Sequence, residues 1–238
     1  MAKRQNPMPG NLDFDVIYED EFILVINKPS GLLTIPDGYH PENPCLKNLL
    51  SSQFSTVFTV HRLDKDTSGI LIFARTVEVH KALNYQFENR IIKKEYRAIA
   101  IASQIEWQEF TCTLPLRVNG DRSHRTIVDQ INGKPAGTIF RKITSFEESY
   151  YLSVILLSGY THQIRSHAAA IAMPLLSDPL YHHESIPRSD QVRADIIQRV
   201  ALHAFSLSFE HPKLKEKMEF SAKIPPDFHY ALQTLSLI

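Results

Sequence analysis

Between Lys94 and Leu157 the chain runs through strand-type segments with almost no helical periodicity, and this uninterrupted stretch limits the fold more than any other feature. Lys94–Ala102, Trp107–Leu114, Arg125–Gln130, Thr138–Ile143 and Tyr150–Leu157 are rich in β-branched and aromatic residues, with turn dipeptides at Asn119-Gly120 and Asn132-Gly133. Strands that follow one another directly pair as antiparallel neighbours, which excludes a Rossmann-like alternation of strand and helix. Before this stretch, Phe14–Tyr18 and Phe22–Ile26 predict a strand pair, Leu46–Ser51 a brief helix, and Val57–Val60 and Gly69–Phe73 two more strands. Val79, Leu83 and Phe87 mark one helical face after a Thr76 cap. After it, Thr161 is positioned as the cap of a helix through Ala172, ended by Pro174. A weak helix at Gln191–Gln198, a strand pair Ala201–Phe209 and Met218–Ala222, and a last helix Asp227–Leu235 complete the reading. The expected architecture is α+β: a mixed, mainly antiparallel sheet with flanking helices and a central cleft.

Within this pattern the loop between the fourth predicted strand and the one before it is chemically crowded. His61-Arg62-Leu63-Asp64-Lys65-Asp66-Thr67-Ser68-Gly69 sets two carboxylates, three basic or imidazole groups and two hydroxyls immediately ahead of the apolar Ile70–Phe73. Turn residues alone would satisfy a connection. A carboxylate placed between Arg62 and Lys65 suits chemistry or anion contact, although a salt-bridged turn has the same composition.

The nonapeptide resembles the HRLDxxTSG motif of pseudouridine synthases of the RluA type, which convert uridine in RNA to its carbon-linked isomer. Other segments match in the same order: Asn27-Lys28-Pro29-Ser30-Gly31-Leu32-Leu33, Lys94-Glu95-Tyr96-Arg97-Ala98, Gly159-Tyr160-Thr161-His162-Gln163-Ile164-Arg165, Asp178-Pro179-Leu180-Tyr181, Leu202-His203-Ala204 and Pro225-Pro226-Asp227-Phe228. The resemblance extends from about residue 14 to 228, and so implies a catalytic domain over 14–238 preceded by an extension at 1–13. It implies catalysis by Asp64 alone, with Arg165 pairing with and orienting it, and Tyr96 stacking on the target base and placed to take the proton from the ring carbon. Arg62 would fill the gap left by an everted nucleotide. His61, Lys94, Thr161, His162 and Gln163 are the further expected RNA contacts. Two departures stand out: Tyr160 where the pattern has arginine, and Ser177 where glycine precedes the aspartate.

Read on their own, the residues leave a paired-carboxylate glycosidase scheme open for Asp64 and Asp66. Lys93, Lys94 and Arg97 straddle an aromatic, and Arg117, Arg122, His124 and Arg125 lie on a turn-rich segment that could grip a stem. Lys and Arg total 26, as do Asp and Glu, giving zero formal charge. Residues 61–142 nevertheless hold 14 basic and 9 acidic side chains, room for a basic face in a neutral whole. His162, His167, His182 and His183 lack metal-site spacing. No glycine-rich phosphate motif occurs, so neither metal nor cofactor is expected. Two cysteines, a polar Met1–Gly10 and the absence of an apolar run long enough to span a bilayer predict a cytoplasmic protein free of membranes. The resemblance implies ribosomal or transfer RNA as its partner, and a monomer is expected.

Overall fold

The computed structural model describes residues 14–102, 105–187, 193 and 195–237. Twelve strands and four helices are described: β1 Asp15–Glu19, β2 Ile23–Lys28, α1 Leu46–Phe54, β3 Phe58–Thr59, β4 Ser68–Ala74, α2 Val77–Glu88, β5 Lys93–Ile101, β6 Glu109–Cys112, β7 Leu116–Arg117, β8 Ile127–Val128, β9 Thr138–Ser145, β10 Ser149–Leu156, α3 Gln163–Ala170, β11 Leu202–Glu210, β12 Lys217–Ser221 and α4 Pro226–Leu235. The architecture is α+β, as expected. Ten strands form one sheet in the order β1-β2-β4-β11-β5-β10-β9-β6, with β12 on β11 and β3 on β4, while β7 and β8 form a separate ribbon. The proposed extension at 1–13 lies outside the described residues, as does most of the Gln191–Gln198 helix. Its described end, Asp195–Gln198, is turn and bend.

Continuous apolar runs become strands buried on both faces. Ile23–Ile26 of β2 are completely inaccessible, as are Leu71–Ala74 of β4, so no polar alternation survives there. Thr76 caps α2 through Oγ1, which accepts from the Val79 amide at 3.2 Å, and Val79 and Leu83 are buried as the helical spacing requires. The turn-rich segment forms only the two-residue strands β7 and β8, because Asp129 and Asp121 take up backbone amides locally and compete with longer pairing.

One pairing lay beyond local pattern. β11 runs parallel to β4 at His203–Ser68 and Ala204–Gly69, and antiparallel to β5, where Ala204 faces Tyr96. A C-terminal strand thus joins the strand that follows the crowded loop to the strand that carries Tyr96. Gly69 makes this approach possible: its φ is +116°, and a Cβ there would lie 2.1 Å from the Ala204 carbonyl oxygen.

Candidate active site

The loop between β3 and β4 is fastened to the turn after β2. Lys28 is wholly inaccessible, and its ammonium donates to the carbonyls of Pro29 at 2.8 Å, Leu32 at 2.7 Å and Lys65 at 3.0 Å. Three donors meet three acceptors, so the buried cation is fully hydrogen-bonded. Burial pushes the lysine down to about 7, against the pull of Asp66 and Asp64. The Gly31 amide also donates to Lys65 O, Ser30 Oγ donates to Asp66 O at 2.8 Å, and Thr34 exchanges hydrogen bonds with the Leu63 backbone. The resemblance assigned no role to Lys28, Ser30 or Thr34. Their one sequence signal was a lysine continuing an apolar strand into a Pro-Ser-Gly turn.

This clamp holds Asp64 at the edge of a cleft of about 550 Å³, the size range of small-ligand sites. The lining brings together His61, Arg62, Asp64, Lys94, Tyr96, Thr161, His162, Gln163 and Arg165, every site residue expected from sequence. Asp66 is exposed and does not line the cleft, so it gives no support to a two-carboxylate scheme. The Asp64 side chain is 21% exposed and its neighbours stand off: His162 Nε2 at 3.6 Å and Arg165 Nη1 at 3.7 Å from Oδ2. Neither distance is a hydrogen bond, which leaves the carboxylate oxygens available to a substrate.

Arg165 lies in the first turn of α3, where a cation opposes the helix dipole and needs a counter-charge. Its closer partner is Asp178 rather than Asp64. Nε and Nη2 donate to the two Asp178 oxygens, both at 2.7 Å, and Asp178 is completely buried while also accepting from the Leu180 and Tyr181 amides. The fork is thereby fixed with Nη1 turned to Asp64. Its Cζ lies 5.0 Å from the centre of the Tyr181 ring. Asp178 is a positioning residue whose role sequence left unread. Asp178→Asn is expected to lower stability by about 3 kcal/mol, the scale for a buried charge losing its partner, and to reduce kcat more than it raises KM for RNA. Urea unfolding and steady-state kinetics check the two halves.

Ser177, just before it, has φ +56°, and its hydroxyl is buried without a hydrogen-bond partner. The left-handed backbone explains why glycine suits this position. Ser177→Gly is expected to raise stability by about 1 kcal/mol, measured as a shift of the denaturation midpoint. Tyr160 places its hydroxyl 3.3 Å from the Pro135 carbonyl at the cleft rim.

Tyr96 is buried, and burial together with the negative Asp64 raises its phenol far above the ordinary range. In the resting site it is a protonated, flat surface lining the cleft, suited to stacking on a base. Lys94 shares its face of β5, with Nζ 5.8 Å from the centre of Phe87, and burial lowers its pKa. Lys93 and Arg97 project to the opposite face because strand side chains alternate. Arg97 stacks 3.9 Å over Phe205 and pairs with Glu95, so the expected triple cluster around Tyr96 reduces to Lys94.

Two expected RNA contacts, Gln163 and His61, have their side chains engaged with protein, and a third, Thr161, is bonded through its backbone. Gln163 is buried, accepting from Ser158 Oγ and the Tyr160 amide and donating to Gly137 O and Thr138 Oγ1, which makes it a strut under the rim. Thr161 is not the helix cap: α3 begins at Gln163 after a left-handed His162, and the Thr161 carbonyl accepts from Thr126 Oγ1 at 2.7 Å. His61 stacks on Phe87, with ring centres 4.6 Å apart, and its Nε2 accepts from the Ile72 amide at 3.1 Å. Burial, and to a lesser degree Lys94, pushes His61 down to about 3. An unfolded histidine binds a proton near 6.5, so stability is complete above that value and falls as pH drops toward 3. Each pH unit in that window costs about 1.4 kcal/mol. Urea midpoints across pH 4–7 should fall more steeply for the wild type than for His61→Gln.

Arg62 is exposed at the rim. In the β7–β8 ribbon, Arg117 pairs with Asp129 and Arg125 with Asp121, so much of the basic turn is internally neutralised. His167 is a core residue bonded to Thr138 Oγ1 and Leu114 O. Among the described residues no three potential ligands gather into a metal site, and no helix is long and apolar enough to cross a membrane.

Taken together, the sheet and cleft define an α+β scaffold that presents the lightly held Asp64 carboxylate to a nucleoside-sized space, with the exposed Glu88 also in the lining. A family model described as RNA pseudouridylate synthase matches residues 22–170. The ribosomal large subunit pseudouridine synthase D of Neisseria meningitidis serogroup A is 34% identical over 240 residues, covering 97% of this chain and 63% of that protein. Its namesake from Vibrio vulnificus is 37% identical over 235 residues, covering 94% and 71%. The chain therefore spans slightly less than two thirds of the Neisseria protein. Human RNA Pseudouridylate Synthase Domain Containing 1 shares the fold, with a TM-score of 0.74 over 93% of this chain and 89% of that one at 24% identity. The chain belongs to the RNA pseudouridylate synthase family.

Proposed function

We propose that this protein converts uridine to pseudouridine in ribosomal RNA, with Asp64 as the reacting group. The observation that carries the reading is the placement of Asp64 between Arg165 and the Tyr96 face in a cleft wide enough for one nucleoside. The relatives named for large-subunit ribosomal RNA favour that RNA over transfer RNA.

A uridine within a stem reaches Asp64 only after eversion, which costs a few kcal/mol. Arg62, exposed at the rim, occupies the vacated position, and Lys94 offers charge to the backbone. Thr161 contributes at the rim, while His61 and Gln163 support the walls. The everted uracil stacks on Tyr96. Asp64 then serves the exchange of the N1–C1′ bond for a C5–C1′ bond, during which C5 loses a proton and N1 gains one, so no atoms are added or lost. Attack at the sugar, attack at the ring and assisted elimination all begin from this carboxylate. No metal or cofactor enters the scheme. The proposal takes the protein to act as a cytoplasmic monomer, every residue named in the scheme coming from one chain.

Incubating the purified protein with unmodified ribosomal RNA transcripts, and mapping pseudouridine in RNA from cells with and without the gene, tests the reading. At least one large-subunit uridine is expected to depend on the protein. If every ribosomal position is unchanged while a transfer RNA position is lost, the substrate assignment falls.

A further inference from the structure

His162 sits where a histidine is costly. Its φ of +55° and ψ of +17° are left-handed, a strain of order 1 kcal/mol for a residue with a side chain, and it gives no capping bond to α3. The imidazole is instead held between two groups. Nδ1 lies 3.0 Å from the Tyr181 hydroxyl, and Nε2 lies 3.6 Å from Asp64 Oδ2. The rings of His162 and Tyr181 meet edge to face at 5.5 Å.

The hydrogen-bond directions select one tautomer. The buried Thr126 amide also donates to the Tyr181 oxygen, at 2.8 Å. Nε2 faces the Asp64 carboxylate, which can only accept, so the ring proton belongs on Nε2, and the bare Nδ1 accepts from the Tyr181 hydroxyl. We infer that His162 is the positioning residue for Asp64: Tyr181 fixes its Nε2–H tautomer, and that N–H closes on Asp64 Oδ2 when the base enters, setting the carboxylate's orientation for the reaction. This rests on Asp64 being the reacting group. A separation of 3.6 Å before substrate arrives fits a bond that tightens in the complex. Burial, followed by Arg165 and Arg62, lowers the histidine pKa against the opposing pull of Asp64 and Asp178, so the imidazole acts as a neutral donor and Arg165 supplies the charge.

Two substitutions separate reach from backbone tolerance. Asparagine accepts the left-handed backbone but places its amide near the Nδ1 position, short of Asp64, whereas glutamine extends an N–H to about the Nε2 position. Expected for His162→Asn is a loss of about 10- to 100-fold in kcat with KM for RNA within about 2-fold, the kinetic worth of a hydrogen bond to a charged group. His162→Gln should retain clearly more activity than His162→Asn. In the RNA-free protein, ¹⁵N shifts of the His162 ring should show a protonated Nε2 and a bare Nδ1, and Tyr181→Phe should mix the tautomers while keeping a ring beside Arg165. Undiminished kcat in His162→Asn, equal activity in the two variants, a loss confined to KM, or a proton on Nδ1 would overturn the inference. Should the wild type convert no uridine, the functional reading falls, and the nitrogen shifts, read without RNA, still decide the tautomer.

Discussion

Asp64→Asn and Asp64→Ala are expected to yield no detectable pseudouridine, yet to bind the RNA substrate at least as tightly as the wild type. The first half follows from chemistry: an amide oxygen cannot supply the electron pair or the charge that carboxylate catalysis requires. The second follows from electrostatics, because removing a carboxylate from a cleft that receives a phosphate backbone removes repulsion. Asp64 also carries little of the fold. Its contacts to His162 and Arg165 are 3.6 and 3.7 Å long, while Arg165 keeps its paired bonds to Asp178, so the variants should unfold near the wild-type midpoint. Filter binding and nucleoside chromatography on the same preparations separate the two halves. Product from either variant removes Asp64 from its role. Binding that weakens in parallel with turnover would instead mark Asp64 as a substrate anchor.

Gly69→Ala is expected to abolish the native structure, at a cost above about 4 kcal/mol. The added methyl group would meet backbone, not a side chain that can swing away: Ala204 O at 2.1 Å, N at 2.6 Å and C at 2.7 Å, at a φ of +116°. Relief requires β11 to leave β4, and β11 also carries the pairing to β5 and hence the Tyr96 face. Circular dichroism and the soluble yield measure the outcome. A folded, active Gly69→Ala protein would mean that the parallel contact is dispensable. Gly31 offers the internal control: nothing lies within 4 Å of its Cβ position, so alanine there meets only the strain of φ +82°.

The elements legible in sequence were those governed by local periodicity. β2 and β4 announced themselves as apolar runs, α2 by its four-residue spacing and threonine cap, and β9 and β10 as consecutive strands. Long-range pairing was not legible. Nothing local in Leu202-His203-Ala204 states that it lies beside Ser68 and Gly69, because the parallel contact is decided by shape across the sheet. The same division holds in the cleft. The expected site residues converge there, but their partners did not follow from spacing: Arg165 belongs first to Asp178 and Gln163 to the rim, while Arg97 lies outside the cleft, over Phe205. Ser177 was legible as an oddity, and its φ of +56° supplies the reason.

The contact between β4 and β11 also bears on synthesis. Ser68 and His203 are brought together only after residues beyond 202 have left the ribosome, so a nascent chain that already displays Asp64 lacks the strand that steadies it. Non-local closures of this kind form late and slowly. The sheet around Asp64 therefore closes only once the β11 segment has been made, and a chain interrupted before it is expected to carry the motif without activity.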